Sequence, residues 1–429
     1  MDPQGSHPEA PPSIFLDPWL IPIGEPLLAI TDNLMAVTTP DGGPRKRSPR
    51  VDALERRRFL IGNLVANLAS LTLSPFHEPG TTLAVATAKT KHNSYDRQGY
   101  PKRLIAGTLE AMEKAGIIRR TPYVFKMQTT LVEPAAALLD LMSRHGVKLS
   151  DIGQDAGAET IWLRARDIEV SAYGWRRGSE SKHFVEYQET EETLRLRAEM
   201  ETINAVLNRA GIAYDGLPVG PIALRRVFLL RSPKEPQHFT LNGRLWGGFW
   251  QNLKSNRRHL ITIGGEDIVD LDYTAMFGAL AYLMKTGKLP ELDPYAVPGL
   301  EDHRDGAKLG LLSLLSRTGP MRSLAPHLKA LLPPGWTAWM LEGEMSHHNL
   351  PISPLFGKGV SEQLMNTESN LLVAVLLELA VQGIPALPMH DGINVKQSDK
   401  DKALRTMQIV SQRMLGAALP VKEKPIWRP

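Results

Sequence analysis

The chain of 429 residues has no cysteine. That excludes a disulfide scaffold, a Cys-ligated zinc site and a thiol nucleophile. No apolar run approaches the roughly 20 residues that a membrane span needs. The opening MDPQGSHPEAPPSIFLDPW lacks the basic flank and long apolar core of a secretory signal. The expectation is therefore a soluble, cytoplasmic protein with no membrane association. Internal repeats are absent, which excludes a solenoid. A charge excess of one sign is nearly absent too: the formal net charge is +4, which matters for partners only where it is clustered. Present instead is 42% apolar residues, enough for packed cores, in a chain long enough for roughly two to four domains.

The positive charge is clustered. Arg45, Lys46, Arg47, Arg50, Arg56, Arg57 and Arg58 outnumber Asp52 and Glu55. Lys89, Lys91, Arg97, Lys102, Arg103, Lys114, Arg119 and Arg120 outnumber Asp96, Glu110 and Glu113. Such clusters suit a polyanion, because neutralised phosphates release counterions; a solvated face has the same composition. Residues 1–50, rich in Pro, Gly and Asp, read as a flexible arm. From Asp52 the pattern turns helical through Leu60, Leu64 and Leu68. A second helix is predicted over 100–115, where Leu104, Ile105, Leu109 and Met112 recur at helical spacing and Pro101 suits the first turn. Gly116 ends it, and Ile117–Arg120 and Thr121–Val132 read as strands, followed by a helix over Glu133–His145 and a further strand at Glu159–Arg164. A basic helix before a hairpin resembles a winged-helix module over residues 51–170. That resemblance implies DNA contacts from Lys102 and Arg103, although such modules also serve as protein contacts. Residues 185–210 read as one long charged helix within a connector or thumb-like segment, 171–235.

The C-terminal segment, 236–429, holds the chemistry. Ile268, Val269 and Leu271 are strand formers, and Asp272 stands where this strand runs into a predicted helix, Thr274–Met284. Ile384–Val395 is two apolar runs broken by Met389-His390-Asp391-Gly392, a hairpin with His-Asp at its tip. Asp-Gly is also what any tight turn favours. Two Asp at the ends of neighbouring strands can hold a pair of divalent cations about 3.5–4 Å apart, the arrangement that activates an attacking oxygen and stabilises a leaving one. Arg304 and Lys308 lie one turn apart on a predicted helix continuing through Leu309, Leu312 and Leu315, a cationic face suited to a triphosphate. Upstream, Thr240–Gln251 supplies Arg244, Trp246 and Trp250 among glycines and precedes Arg257 and Arg258; it reads as a nucleic-acid contact or as a Trp-rich core loop. Ser361–Gln382 is a helix with Glu368 and Ser369 near its start, suited to capping, to a buried hydrogen bond or to facing a primer end. His347 and His348 lack further ligands at metal spacing and read as surface loop residues.

Taken in order, T-x-x-G-R-L (Thr240–Leu245), D-Y-T (Asp272-Tyr273-Thr274), R-x-x-x-K (Arg304, Lys308) and H-D (His390-Asp391) resemble the family-A polymerases, which include bacterial DNA polymerase I and the single-subunit phage RNA polymerases. The resemblance covers roughly residues 185–429. It implies an α+β fold: a right-hand polymerase palm with reduced fingers and thumb, preceded by the winged-helix-like domain. By that resemblance Asp272 and Asp391 ligate Mg²⁺ (or Mn²⁺), with a backbone carbonyl of Leu271 or Tyr273 completing the shell. Arg304 and Lys308 meet the incoming nucleoside triphosphate beside Tyr273 and Phe277, and Lys308 protonates the leaving pyrophosphate. Arg244, with Arg257, Arg258 and His390, contacts a DNA primer–template.

Three positions depart from the family pattern. Phe277 stands where bacterial members have a sugar-gating Glu. Ser316 stands where they have a sugar-selecting aromatic, and Gly392 where an acid often follows His-Asp. The expected activity is a template-directed nucleotidyltransferase, a small exonuclease-free DNA polymerase suited to mobile-element replication. An RNA polymerase or primase using ribonucleotides, and a DNA-binding initiator with an inactive palm, are the alternatives.

Overall fold

The computed structural model describes residues 12–38, 51–87, 94–124, 129–167 and 181–427. The fold is α+β and divides into two compact units. One comprises residues up to 159 with 213–221, the other 160–212 with 222–429.

In the first unit, helix Val51–Leu73 buries a continuous run from Leu60 to Ala69, including Leu60, Leu64 and Leu68. At roughly 1.5–3 kcal/mol for each fully buried leucine side chain, this stripe dominates the local core. Two polar residues on the same helix are buried but satisfied: Asn63 donates to the Leu20 carbonyl (2.7 Å) and accepts from the Tyr100 hydroxyl (2.7 Å), and Asn67 donates to the Asn63 carbonyl (2.8 Å) and accepts from the Asp17 N–H (2.8 Å). The sheet runs Ser13–Phe15, Thr82–Val85, Thr130–Pro134, Ile118–Thr121, with the first pair parallel and the others antiparallel. The segment expected as one helix over 100–115 is a tight turn, Lys102–Leu104, followed by helix Ile105–Lys114.

The cationic clusters are largely neutralised where they are described. Arg56 pairs with Asp52, Arg58 with Asp32, Arg97 with Asp155, Lys102 with Asp96, Lys114 with Glu110, Arg119 with Glu133 and Arg120 with Glu113. Arg57 donates to the Thr38 hydroxyl, while Arg103 is exposed. Lys102, expected on a phosphate, is thus held by Asp96 at 2.7 Å. Acids distant in sequence, such as Asp32, Glu133 and Asp155, cancel charge that looked unopposed along the chain. Arg45, Lys46, Arg47, Arg50, Lys89 and Lys91 lie outside the described residues.

The second unit holds two sheets. In the first, Ser181–Phe184, Ile161–Asp167, Arg225–Leu230 and Asn242–Trp246 lie side by side in that order. Ile161–Asp167, grouped by sequence with the N-terminal segment, pairs in parallel with Arg225–Leu230. In the second, Glu266–Tyr273 lies between the hairpin strand Gly392–Lys396 and the C-terminal strand Val421–Lys424, both antiparallel to it. Helix Lys400–Leu415 packs beneath, and the expected long charged helix over 185–210 is shorter, Glu191–Arg209, capped by Thr190, with 185–190 outside it.

Helix Ser361–Val381 lies on strand Asn242–Trp246. Among the described residues it alone is long and apolar enough to cross a membrane, and 56% of that apolar stretch is buried within the protein. Its first half carries a buried polar stripe. Asn366 donates to the Phe239 carbonyl (3.0 Å), Ser369 donates to the Gly243 carbonyl, and Glu368 takes Arg244. Opposite stands Arg226, 1% exposed, which donates to the Gly243 carbonyl (3.0 Å), the Ser369 hydroxyl (2.8 Å) and the Asn370 amide oxygen (2.8 Å). Burial lowers its guanidinium to about 10, still charged at neutral pH. Gly243 sits at φ +85°, and a Cβ there would lie 2.8 Å from the Phe228 ring, so the strand approaches this helix closely.

Arg226 is thus the fastener between the first sheet and helix Ser361–Val381. Truncating one member of a buried, charged network leaves its partners unsatisfied. Arg226→Ala is expected to lower unfolding free energy by about 3 kcal/mol or more, read as a fall in the urea midpoint. A midpoint within error of wild type would refute this role.

Candidate active site

Strand Glu266–Tyr273 alternates in character. Val269, Leu271 and Tyr273 are buried, while Asp270 and Asp272 share the opposite face, as a period of two requires. In register, Asp272 faces Gly392 and Lys422 on its two neighbours, and Asp270 faces Asn394 and Lys424. The Asp391 carbonyl accepts from the Tyr273 backbone N–H (3.2 Å), which brings the hairpin tip against the end of the strand.

The Asp272 and Asp391 carboxylates are adjacent. Burial, then the Asp391 charge and its hydrogen-bonding proximity, push the Asp272 carboxyl up to about 6; the Lys424 ammonium, 2.6 Å from Asp272 Oδ2, opposes this. Asp270 is also raised, by burial first, with Lys424 and Arg258 opposing. Gly392 is what allows the approach. A Cβ there would stand 2.5 Å from the Leu271 carbonyl oxygen and 2.9 Å from Asp272 Oδ1. An acid at this position, as the family pattern often has, would drive these strands apart. The backbone is left-handed on both sides of the pair, at Ala275 (φ +51°) and His390 (φ +55°). That conformation costs an L-residue about 1–2 kcal/mol and collects at functional sites.

Around the acids sit several of the expected residues. His390 is exposed at the hairpin tip, its ring 6.2 Å from that of Trp246, and partial burial and the Arg244 charge lower its pKa. Trp246 is itself exposed, whereas Trp250 is fully buried with its indole N–H donating to the Pro388 carbonyl (2.9 Å). Trp250 therefore follows the core-loop reading, while Trp246 stays at the surface. Arg258 lies close enough to act on Asp270 and His390, and Arg257 is on the same short helix, Ser255–Leu260.

Arg244 is not a free cation. Its Nε and Nη2 donate to both oxygens of Glu368 at 2.8 and 3.0 Å, and its guanidinium lies 5.6 Å from the centre of the Phe277 ring. Phe277 is correspondingly buried. Tyr273 differs from expectation: its side chain lies on the core face, with the hydroxyl donating to the Met407 carbonyl (2.8 Å). Adjacent strand residues point to opposite faces, so Asp272 and the Tyr273 ring cannot line the same site.

Helix Arg304–Ser316 carries the cationic pair. Lys308 is exposed. Arg304 pairs with Asp293, and its guanidinium lies 5.3 Å from the ring centre of Tyr295. Tyr295 is buried, and its phenol is pushed up to about 12, chiefly by burial and in part by Asp391 and Asp293. Tyr295 thus packs against the cationic helix, within electrostatic reach of Asp391, and it was not legible from the motifs. His347 and His348 end helix Ala338–His348 rather than lying in a loop, and His348 Nε2 is 2.9 Å from the Asp293 carbonyl oxygen. Among the described residues no group of three or more His, Asp or Glu converges as a metal cage. The site is a pair of carboxylates with Asp270 beside it.

No protein-family model matches the chain, and no curated protein matches it. Among solved structures it is similar to the POL domain of Pol1 from M. smegmatis, in complex with DNA primer-template and dNTP. Identity is 11%, TM-score 0.30, and the match covers 94% of this chain and 66% of that chain.

Glu368, 1% exposed, is raised to about 7 by burial, against the pull of Arg244. An acid whose folded pKa lies above its unfolded value contributes stability that is fully present below the unfolded pKa. That contribution is lost as pH rises through the folded pKa. Between pH 4.5 and 7 this carboxyl is therefore expected to remove up to about 3 kcal/mol. Comparing urea midpoints at pH 5 and pH 8 checks it: Glu368→Gln should shrink the difference between the two pH values, and an unaltered difference would assign the pH dependence elsewhere.

Proposed function

We propose that the protein is a template-directed nucleotidyltransferase, a DNA polymerase of family-A type acting on a primer–template with nucleoside triphosphates. In this reading the sheet bearing Asp272 and Asp391 is the palm, helix Arg304–Ser316 belongs to short fingers, and helix Glu191–Arg209 is a reduced thumb. The observation that carries it is the side-by-side placement of Asp272 and Asp391 on neighbouring strands, made possible by Gly392.

The donor set fits Mg²⁺ or Mn²⁺. Hard cations of this size take oxygen ligands, and Mg²⁺ is commonly held by one or two carboxylates with the remaining positions filled by phosphate and water. Two adjacent anionic groups that raise one another's proton affinity are the electrostatic counterpart of such a site. When bound, the cations lower the pKa of the primer hydroxyl and neutralise charge on the leaving pyrophosphate.

The chain's own residues do the rest. Asp272 and Asp391 fix the cation positions on a rigid sheet. Lys308, exposed and with no ion-pair partner among the described residues, offers a proton and a positive charge to the pyrophosphate. Arg304 exchanges Asp293 for a phosphate oxygen while resting on Tyr295. Arg244, clamped by Glu368, orients Phe277 and the adjoining strand. With most of the described N-terminal cations already paired, nucleic-acid contact falls mainly to Trp246, His390 and Arg258 around the site. A specific observation also favours testing ribonucleotides: Phe277 is buried beneath Arg244, so no carboxylate stands there to exclude a 2′-hydroxyl.

Primer extension on an annealed template with Mg²⁺, run with deoxy- and ribonucleotides in parallel, tests the reading. Asp272→Asn and Asp391→Asn should each lower incorporation at least ~100-fold without loss of fold. Folded variants that extend like wild type would sink the assignment.

Lys308→Ala should cut the maximal incorporation rate by on the order of 100-fold, and Arg304→Ala should raise the apparent nucleotide KM about tenfold. Unchanged single-nucleotide kinetics in both would place this helix outside the nucleotide site.

A further inference from the structure

The C-terminal strand Val421–Lys424 brings a residue to the acid pair that none of the motifs contains. The strand is four residues long and pairs with the half of Glu266–Tyr273 that carries Asp270 and Asp272. It is fixed by its ladder, by the Pro420 carbonyl accepting from the Thr274 N–H (2.8 Å), and by an ion pair between Glu423 and Lys400. In antiparallel register, residues opposite one another share a face. Lys422 and Lys424 therefore stand on the carboxylate face, opposite Asp272 and Asp270.

Of these, Lys424 reaches the pair, with its Nζ 2.6 Å from Asp272 Oδ2. Lys422 is exposed. The Lys424 ammonium thus occupies one of the two carboxylate oxygens that a cation on Asp272 would use. Mg²⁺ sits about 2.0–2.1 Å from its carboxylate oxygens, so a divalent ion at Oδ2 and an ammonium held on the same oxygen would repel one another at close range. The Lys424 side chain is only half-buried and has a long flexible stem, so an outward position over solvent is open to it.

We propose that Lys424 is a built-in counter-ion that competes with the divalent cation for Asp272, so that the C-terminal strand sets the metal affinity of the site. This rests on the metal-binding reading of Asp272 and Asp391. In the metal-free protein the ammonium offsets the mutual repulsion of Asp270, Asp272 and Asp391 and holds the strands together. Binding of the cation displaces the ammonium, and its release toward solvent is then a step of metal loading.

The test is Mn²⁺ binding to the full-length protein without nucleic acid or nucleotide, followed by the EPR signal of free Mn²⁺. Lys424→Gln, similar in length but uncharged, is expected to tighten binding on the order of tenfold, because a unit charge near a divalent ion is removed. Lys424→Arg, which keeps the charge, should bind Mn²⁺ within a few-fold of wild type. Lys422→Gln makes the same net-charge change two residues along the strand, at an exposed side chain with no ion pair to Asp272, and should stay near wild type. Equal tightening by Lys422→Gln and Lys424→Gln would assign the effect to net charge and overturn the proposal. Unchanged or weaker affinity in Lys424→Gln, with its circular dichroism and urea midpoint like wild type, would also overturn it. Should Lys424→Gln not fold, Lys424→Met takes its place with the same expected tightening. Asp272→Asn, made in wild type and in Lys424→Gln, separates the two levels. Loss of Mn²⁺ binding in both supports the site itself, whereas binding insensitive to Asp272→Asn removes the metal-site reading and the competition with it.

Discussion

The second unit depends on the close antiparallel contact of strand Glu266–Tyr273 with the hairpin strand Gly392–Lys396. Asp272 meets Gly392 in register, and the missing side chain at 392 allows a carboxylate on one strand to stand beside a carboxylate at the tip of the other. Like charges in contact repel, and the arrangement persists because the opposite face of the same strands is buried and the Lys424 ammonium offsets part of the charge. Val269, Leu271, Tyr273, Ile393 and Val395 all point into the core over helix Lys400–Leu415. The alternation of the strand thus serves two purposes. One set of side chains stabilises the sheet, and the other set uses that stability to hold an unfavourable charge pair in place.

A second buried network supports the site from behind. Arg226 and Arg244 extend from adjacent strands toward helix Ser361–Val381, and each is met by groups of that helix: Ser369 and Asn370 for the first, Glu368 for the second. Buried charges of this kind are costly unless each is paired, and here each is. The consequence is rigidity. The segment carrying Trp246 is fixed relative to the hairpin tip, where His390 lies 6.2 Å away ring to ring. Through Phe277 the same Arg244 also touches the helix that follows Asp272.

The N-terminal unit gives a different lesson about charge. Read along the chain, its arginines and lysines look like a surface for phosphate. In three dimensions most of those described face an acid, some close in sequence and some far away, as Arg58 faces Asp32 and Arg97 faces Asp155. Exposed pairs of this type contribute little to stability, but they cancel the field that a polyanion would feel. Local charge counting has no access to that cancellation.

What the sequence determined by itself were the features of short range. Apolar spacing marked the helix through Leu60, Leu64 and Leu68, the buried helix Ser361–Val381 and the hairpin around His390 and Asp391. Motif order identified Asp272, Asp391, Arg304 and Lys308 as candidates. The tertiary structure decided what distant segments do to one another. It set the Tyr273 ring on the core face, clamped Arg244 with Glu368 and put Trp250 in the core and Trp246 at the surface. It set Arg304 against Tyr295, and it laid Lys424, from the last strand, against Asp272. The physical reason is that strand register and side-chain pairing are long-range. Periodicity says which residues share a face, but only the packed sheet says which strand lies beside it and which charge that neighbour brings.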